Sequence, residues 1–482
     1  MKKIRIVTLV MIVILSMALV PAAAAGAPPG TWVSGISCQN LSATDIATIT
    51  LSFYPTDNSV AALNYNDTIA AGGSRNYFTP STPPGLPTSF LGSAVVSSDQ
   101  PVTCNINTQS TGSGTNTNPY RFSTSAGFSS NDTAPTMYAP QVMKNLAGAW
   151  SSYIAVQNSE NAAVAVTVSY KDSAGNPVSA ATEGVTIPAN SNHVFYQTDN
   201  TNLPTGFIGA ATISANDGTS KLAVMVNFYN NASSSSTAQF HSYSGFNSGA
   251  NKLYVPRVVR NFYGYNSGLS IQNVGGSSTT VSIDFTIGGN TYSYTSPSIN
   301  PGAALSLYLP NVTQLALVDS LPMGTRYGGA VITAAVGGAV VAIVNEDNRG
   351  GAGIPVERAG QGSTYNAIAD GTQTSTISFA QIARKAGGVF SGGFQITNTT
   401  NTVGTCDITY SGVASANETG VTLPASGSIS RYAPNVANLP NGFNASVSAT
   451  CTQPVVGISN MAVEPGTGKY GDTFLQGNGL NR

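Results

Sequence analysis

The side chains that most often perform chemistry are scarce in this sequence. The 482 residues include only two histidines, His193 and His241, and six glutamates that are scattered mostly in turns. The G-x-S-x-G turn that presents a nucleophilic serine in one class of hydrolases is missing. The zinc motif HExxH and an Asp-rich calcium loop are missing as well. We therefore expect no enzyme activity, no metal site and no cofactor.

One glycine pattern is similar to a nucleotide-binding fingerprint. It reads Gly466-Thr-Gly-Lys-Tyr-Gly471. Such a fingerprint binds phosphates only where it follows a strand and opens a helix within a βαβ unit. The flanking sequence does not open a helix, so we interpret this segment as a glycine-rich loop.

A basic residue recurs four positions after a proline. Lys144 follows Pro140 and Arg260 follows Pro256, and Arg384 ends a weaker third copy. We weigh two roles for these cations: hydrogen bonds to carbonyls in the junction between neighbouring domains, or snorkelling from an edge strand, which discourages pairing between sheets. An isopeptide bond between Lys144 and strand-end Asn227 is disfavoured, because the other copies carry arginine, which cannot form it.

Four aromatic residues near predicted domain starts are candidates for ligand contact. They are Trp150, Tyr153, Tyr263 and Tyr265. Aromatic faces suit a polysaccharide, but the same residues also serve as ordinary sandwich packing or loop anchors. Both interpretations stay open at this point.

Charged residues make up only 8% of the chain, against about 25% in ordinary soluble proteins. With 19 Lys and Arg against 20 Asp and Glu, the chain has no basic footprint for nucleic acid. A hydrophobic fraction of 41% excludes intrinsic disorder. The shortage of Glu, Lys and Arg excludes coiled coils and long surface helices. The wet surface must therefore consist of Ser, Thr, Asn and Gly.

Residues 1–25 have the three parts of a signal peptide. Basic residues precede an apolar run from Ile6 to Val20, and a small-residue cleavage site follows before Gly26. The run is shorter than the roughly 20 residues that a membrane span requires, which disfavours a permanent anchor. Gly26 in place of a cysteine does not support a lipoprotein anchor. We expect a secreted protein, extracellular or attached to the cell surface, with no transmembrane segment in its mature chain.

The four cysteines fit an exported protein. Cys38 and Cys104 lie in the first part of the chain, and Cys406 and Cys451 lie in the last part. Pairs of cysteines within single repeats predict two disulfides, Cys38–Cys104 and Cys406–Cys451. Metal binding is disfavoured, because none of these residues has CxxC spacing and no histidine is near. Either the terminal domains need extra stability or the placement is accidental.

The chain repeats one unit four times. The clearest marker is an apolar alternation that closes on Gln-Asn or Thr-Asn, and it recurs at Asn40, Asn158, Asn273 and Asn398. Turns of the Ile/Leu-Pro-Ala type, a Leu-Pro-x-Gly-Phe motif and a final strand that ends in Asn follow in the same order. A period of about 115 residues fits one β-sandwich domain with a connector. The segment 328–344 is apolar enough to suggest a membrane helix, but the repeat predicts a hairpin that turns at Gly337-Gly338.

These observations predict an all-β protein of four tandem Ig-like β-sandwich domains after the signal peptide. The predicted domains span residues 26–128, 138–246, 254–368 and 379–482. The polar connections between them are long enough to permit some bending but short enough to keep neighbouring domains in contact. Copy one lacks the Pro-x-Val-x-Lys/Arg start, which leaves its first strand undefined.

The motifs resemble those of tandem Ig-like repeats in exported proteins of filamentous bacteria such as Chloroflexota. The resemblance covers nearly all of the mature chain and implies a cell-surface or matrix component, without catalytic residues. We expect a structural subunit of a surface layer, sheath or filament that associates with copies of itself or with other surface proteins. An edge strand, or an extended segment near residues 26–32, would add to a neighbour. The rival hypothesis is an adhesin or carbohydrate-binding module.

Overall fold

The computed structural model describes residues 10–16, 28, 30–56, 62–79, 81–88, 90–112, 114–230 and 237–481. Within these residues the chain is mostly β-strand, as the alternating β-branched residues and turn signals predict. The helices are all of the 3-10 type: Ser179–Ala181, Leu309–Asn311, Thr313–Ser320, Met323–Thr325, Val356–Arg358, Ala414–Ala416 and Ala433–Asn435. No helix in these ranges is both long and apolar enough to cross a membrane.

The strands fall into four successive groups, which we call units 1 to 4. Unit 1 contains β1 (Val10–Ser16), β2 (Trp32–Asn40), β3 (Ala47–Pro55), β4 (Leu63–Ile69), β5 (Ser74–Phe78), β6 (Gly92–Ser98), β7 (Val102–Ser110), β8 (Tyr120–Ala126) and β9 (Phe128–Ser129). Unit 2 contains β10 (Thr136–Lys144), β11 (Trp150–Asn158), β12 (Val164–Asp172), β13 (Glu183–Ile187), β14 (Asn192–Tyr196), β15 (Phe207–Ala215), β16 (Leu222–Asn230) and β17 (Phe240–Ser244). Unit 3 contains β18 (Lys252–Val259), β19 (Tyr265–Asn273), β20 (Val281–Ile287), β21 (Asn290–Thr295), β22 (Ala304–Tyr308), β23 (Tyr327–Ala334), β24 (Val340–Asn348), β25 (Gly362–Asn366) and β26 (Ile368–Ala369). Unit 4 contains β27 (Thr374–Arg384), β28 (Phe390–Asn398), β29 (Gly404–Tyr410), β30 (Glu418–Leu423), β31 (Ser428–Tyr432), β32 (Phe443–Val463), β33 (Gly471–Asp472), β34 (Leu475–Asn478) and β35 (Leu480–Asn481).

Every unit has the same two sets of paired strands. The first sheet runs β4-β3-β6-β1-β9 in unit 1, β13-β12-β15-β10 in unit 2, β21-β20-β23-β18-β26 in unit 3 and β30-β29-β32-β27-β35 in unit 4. The second runs β5-β2-β7-β8, β14-β11-β16-β17, β22-β19-β24-β25 and β31-β28-β32-β34. All pairs within the units are antiparallel, and apolar side chains of the two sheets meet in cores such as the one formed by Val166, Ile213 and Val224.

The apolar segment 328–344 forms two strands, but they are not the predicted hairpin. β23 pairs with β18 and β20 in the first sheet, whereas β24 pairs with β19 and β25 in the second. The chain turns at Gly337 and crosses from one sheet to the other. Each strand buries apolar residues against the opposite sheet, a pattern that a hairpin and a sheet-to-sheet crossing share. The sequence therefore predicts the strands but not their partners.

The recurring asparagine ends the first strand of the second sheet in each unit, as Asn158 ends β11, and its side chain forms hydrogen bonds to two turns. Asn158 Nδ2 donates to the carbonyls of Ala162, Ile187 and Pro188, at 2.7, 3.1 and 2.9 Å. Its Oδ1 accepts a hydrogen bond from the backbone of Glu160. The same arrangement recurs at Asn40, Asn273 and Asn398, and all four asparagines are at most 2% exposed. This clamp explains why a Gln-Asn or Thr-Asn pair marks each repeat.

The Leu-Pro-x-Gly-Phe motif lets two strands approach closely. In unit 2, the ring of Phe207 covers Gly209 two residues later. A Cβ atom at Gly209 would lie 2.1 Å from the carbonyl oxygen of Lys171 on the paired strand. Only glycine fits there, and the aromatic ring fills the space that its missing side chain leaves.

The four units close into a circle. The last strand of each second sheet packs against that of the next unit in the order β8, β17, β25 and β34, and β34 returns to β8. The first strand of each unit also packs on the second sheet of the following unit, and β27 of unit 4 packs on β2 and β7 of unit 1. The connections between units, for which the sequence predicts some bending, thus join units that also contact one another in a closed circle.

Residues 10–16, the centre of the predicted signal peptide, form β1. This strand pairs with β6 along seven residues and with β9 along two. It fills the position of the first strand, which the repeat pattern left undefined in copy one. Residues 1–9 and 17–27, including the predicted cleavage site, lie outside the described residues.

Candidate interaction sites between the units

The first strand of each later unit carries a bulge that contacts its neighbour. The register of pairing shifts between Ala139 and Val142 in β10, and the equivalent shifts occur in β18 and β27. The Pro140 carbonyl accepts a hydrogen bond from Ser270 Oγ of unit 3 at 2.9 Å. A proline is suited to a bulge because it has no N–H to contribute to the ladder. The recurring proline thus marks a junction between units.

The equivalent bulges of units 3 and 4 make matching contacts. The Pro256 carbonyl accepts from Thr397 Oγ1 at 3.1 Å and from Gln395 Nε2 at 2.6 Å. Gln381 Oε1 of unit 4 accepts from Asn107 Nδ2 of unit 1 at 2.9 Å. Uncharged polar side chains therefore connect successive units, including the last unit with the first.

The recurring cations point into their own units. Lys144 Nζ donates to the Asn200 carbonyl at 2.5 Å, and Arg384 Nη1 donates to the Val436 carbonyl at 2.9 Å. Arg260 donates to the carbonyls of Leu309 and Val312 and pairs with Asp319. These are hydrogen bonds to carbonyls, but the carbonyls lie within the same unit and not in the junction between domains, where the first of the two predicted roles would place them. The reason is the position of each cation at the end of its strand: Lys144 pairs with Phe207, and Asn200 lies in the connection that leads to Phe207 within the same unit.

The structure pairs the cysteines as the sequence predicts. Cys38 is bonded to Cys104 and Cys406 to Cys451, and each bond joins adjacent strands of one unit. Units 2 and 3 contain no cysteine.

The candidate aromatic residues lie in different environments. Tyr153 is buried in a cluster with Trp32, Tyr229 and Phe240. Tyr265 is 8% exposed, and its hydroxyl donates to Gln361 Oε1.

The other two candidates retain accessible surface. Trp150 is half-buried, and Tyr263 is 41% exposed. They border separate clefts, so the four aromatics do not form one platform.

Trp150 lines a cleft of about 380 Å³ between units 2 and 3. His241, Tyr308, Asp347 and Arg349 line the same cleft. The Arg349 guanidinium lies over the Tyr308 ring, 4.6 Å from its centre, and pairs with Asp347 at 2.6 Å. Burial raises the pKa of Asp347, and Arg349 opposes that rise. The cleft combines aromatic walls with a few fixed polar groups, an arrangement typical of small-ligand sites.

Equivalent clefts lie at two further junctions. One of about 310 Å³ lies between units 3 and 4, where Tyr263 and Tyr432 line it, and one of about 240 Å³ lies between units 4 and 1, where Phe390 and Phe122 line it. Tyr263 has a positive φ of 49°, a conformation that is strained for a tyrosine. Unit 4 places Gly387 at the same position of this turn.

Asp472 connects all four units, a role that the sequence did not reveal. Its carboxylate accepts backbone hydrogen bonds from Phe240 of unit 2 at 2.9 Å and from Gly362 of unit 3 at 2.8 Å. β33, which carries it, pairs in parallel with β8 of unit 1 and sets Asp472 opposite Arg121. Burial raises its pKa well above the ordinary value, against the effect of the N–H donors and Arg121. It follows the glycine-rich loop 466–471, and no spacing rule distinguishes it from a surface aspartate.

The two histidines lie at opposite edges of the second sheet of unit 2. His193 is on β14 and is partly exposed, whereas His241 is on β17 and is fully buried against Phe228. Burial lowers the pKa of His241 to about 3. Its Nδ1 lies 2.9 Å from Thr364 Oγ1 of unit 3. In the part of the chain that the structure describes, no group of three or more His, Cys, Asp or Glu residues is placed to bind a metal ion.

Comparisons with known proteins give no family. No protein-family model matches the chain, and no curated protein matches its sequence. Among solved structures, Thermotoga maritima 1070 aligns with 25% of this chain and 96% of its own, at 18% identity and a TM-score of 0.19. The full-length major pilin RrgB from Streptococcus pneumoniae aligns with 90% of this chain and 88% of its own, at 8% identity and a TM-score of 0.11. Likenesses at these scores carry no argument about fold or function.

Proposed function

We propose that this chain is an exported, non-enzymatic structural protein in which the four units are Ig-like β-sandwich domains. It serves as a subunit of a cell-surface layer, sheath or filament. Two disulfides support export, because such bonds persist in oxidising compartments outside the cytosol. The amino-terminal sequence pattern supports it independently.

The closed circle of units is the observation that carries the structural role. Because unit 4 contacts unit 1 through Gln381 and Asn107, the contacts between units form a closed set. A body of fixed shape presents the same surfaces in every copy, which a regular assembly requires. Flexible domains on a string would lack that property.

The shortage of charge favours association between copies. Without residues 1–25, the chain has 16 Lys and Arg against 20 Asp and Glu on 457 residues, a formal net charge of −4, so identical exported molecules repel one another weakly. Contacts made by Ser, Thr, Asn and Tyr are little screened by salt. Assemblies of this protein should therefore persist at high ionic strength.

Sedimentation of the secreted protein tests this proposal. We expect large species that form with rising protein concentration and that remain in 1 M NaCl, well above physiological ionic strength. A protein that stays monomeric at every concentration, in low and high salt, would refute the role as an assembling subunit.

A second candidate function is an adhesin that binds a polysaccharide. The strained, exposed Tyr263 favours it, because a glycine at that position would relieve the backbone. A glycan array probed with the wild type, with Tyr263→Ala and with Trp150→Ala tests it, and Phe78→Ala serves as a control at an exposed aromatic of unit 1. Binding that either cleft variant abolishes and Phe78→Ala preserves would support this function, and no binding by the wild type would exclude it for the glycans tested.

A further inference from the structure

β1 occupies a position that the other units fill from their own repeats. β10, β18 and β27 pair with β15, β23 and β32 in the same way that β1 pairs with β6. β9 pairs only with β1 among the strands of its sheet. Without β1, the edge of β6 loses seven paired residues, and β9 loses the one strand with which it pairs among the described residues.

β1 is not a copy of the repeated first strand. Its register with β6 is unbroken from Val10 to Ser16, whereas each of the other three first strands has a bulge. Its sequence, VMIVILS, belongs to the apolar core of the predicted signal peptide. If residues 1–25 are removed on export, unit 1 loses this strand.

The neighbouring unit is adapted to a strand of this kind. Ser37, Ser270 and Gln395 hold equivalent positions in the second sheets of units 1, 3 and 4, and each donates a hydrogen bond to the preceding unit. The equivalent residue of unit 2 is Ala155, which has no side-chain donor. The residues paired with Ala155 on either side are Val194 and Met225.

This wall is apolar and closely packed. Ala155 is 3% exposed and Met225 is 4% exposed, and both belong to a core cluster shared by units 1 and 2. The opposite side is the core of unit 1, with Ala94, Val96 and Phe128. The position between these walls is therefore mainly apolar on both faces, with one polar contact at its end, from Asn192 Nδ2 of unit 2 to Ser93 Oγ of β6 at 3.1 Å.

We infer that the mature unit 1 is an acceptor for a β-strand of a partner protein: about seven uncharged residues, apolar on both faces, that pair antiparallel with β6 in the place of β1. The inference rests on the proposed export. Backbone hydrogen bonds to β6 and β9 supply affinity, and the two apolar walls select against charged strands.

The described part of this chain offers no donor strand of its own. β35 at the far end pairs with β27. Trp32 is 3% exposed, and its ring lies 4.5 Å from that of Phe240, so β2 is held within its own chain. Trp32, the last residue of the segment 26–32, is therefore already packed within its own chain. A partner protein is the occupant that these contacts favour.

Hydrogen exchange on the secreted protein tests the inference. The first step is intact-mass analysis of the secreted chain, which establishes whether it begins at Gly26. β15 serves as an internal control for β6, because its partner β10 remains in the chain. In the monomer we expect the amides of β6 that face the position of β1 to exchange at least about tenfold faster than the amides of β15 that face β10, whereas the β6 amides that face β3 stay protected. A peptide with the sequence of residues 10–16 between lysine pairs should slow β6 to the rate of β15.

Two controls make the peptide experiment specific. A peptide with Val13→Pro lacks one backbone N–H donor in the middle of the strand, and it should bind β6 at least about tenfold more weakly. In the protein, Ala155→Asp should weaken binding by a similar factor, because it places a carboxylate in the apolar wall. Ala155→Ser, the residue found at two other junctions, should retain binding within about twofold.

Four results would contradict the inference, and each one refutes a different part of it. A secreted chain that retains residues 1–25 refutes the proposed export as well. A monomer beginning at Gly26 with β6 as protected as β15 refutes only the acceptor. Protection that appears only in oligomers makes a second copy the occupant, and equal binding of the proline peptide refutes strand pairing.

Discussion

At the scale of single residues, uncharged side chains make many of the buried hydrogen bonds that hold this structure together. Asn158 satisfies three carbonyls with one amide group, and Ser270 and Thr397 connect units through prolyl carbonyls. In the sequence, the recurrence of Asn158 marks a repeat, but the burial of Asn158 and Ser270 is not apparent there. Their burial explains how a chain with so few charges still fixes its structure.

The asparagine clamp predicts a large effect from one substitution. Asn158→Ala removes the side-chain donor from three carbonyls. One of these hydrogen bonds is buried and two are partly buried, and a buried acceptor that loses its partner costs about 1–3 kcal/mol. We expect unit 2 to lose about 3 kcal/mol of unfolding free energy, measured by urea denaturation. Asn202→Ala, at an exposed asparagine of the same unit, should change it by less than about 0.5 kcal/mol. Similar effects of the two substitutions would show that the clamp does not stabilise the unit.

Buried His241 predicts a loss of stability in acid. Burial lowers the pKa of His241 to about 3, whereas the unfolded residue titrates near 6.5. Between these two pKa values, His241 is protonated in the unfolded chain but neutral in the folded chain. The free energy of unfolding is therefore highest above about pH 6.5 and falls as the pH drops toward 3. The loss from this residue should reach about 2 kcal/mol at pH 5. His241→Gln should flatten the slope of stability between pH 7 and pH 5, and an unchanged slope would contradict this assignment.

The ion pair between Arg257 and Glu346 predicts strong coupling. Two hydrogen bonds of 2.9 Å join the side chains, and Glu346 also accepts from Gln476 of unit 4. Arg257→Met leaves a buried carboxylate without its cation and should cost about 3–5 kcal/mol. Adding Glu346→Gln to Arg257→Met should recover at least about 2 kcal/mol of that loss in a double-mutant cycle followed by urea unfolding. Simple addition of the two single effects would show that the pair does not act as a unit.

At the scale of strands and sheets, local sequence pattern predicts where most strands lie, but it predicts little about which distant strands pair with one another. Alternating residues and turn motifs place strands such as β12 and β20, and the cysteine spacing gives both disulfides. The partners of β23 and β24 are not predictable in this way, because burial of one face is the same in a hairpin and in a crossing between sheets. The first strand of unit 1, β1, is likewise not predicted, because its residues have the pattern of a signal peptide.

At the scale of the whole molecule, the closed circle depends on contacts that carry no sequence signature. The polar connections between repeats predict neighbouring domains that stay in contact and bend to some extent, but they do not predict that β34 packs back on β8. The carboxylate of Asp472 is the clearest example, because it bonds backbone amides of two other units. Neither its spacing nor its neighbours distinguish it in the sequence.

Asp472→Asn tests the central connection. Both carboxylate oxygens accept backbone hydrogen bonds, so an amide must direct its NH2 group at one of those donors. We expect a loss of about 1–3 kcal/mol and faster hydrogen exchange at Phe240 or Gly362, measured by mass spectrometry. Asp217→Asn, on an exposed turn of unit 2, is the matched control. Unchanged exchange at both amides would show that Asp472 does not hold the units together.

The central claim is that these charge-poor, circularly closed molecules assemble into an ordered structure outside the cell. Negative-stain electron microscopy of the secreted protein tests it most directly. We predict ordered sheets or filaments built from compact particles in which the four units are in contact. Dispersed single particles at all concentrations, or extended strings of separate domains, would contradict the account.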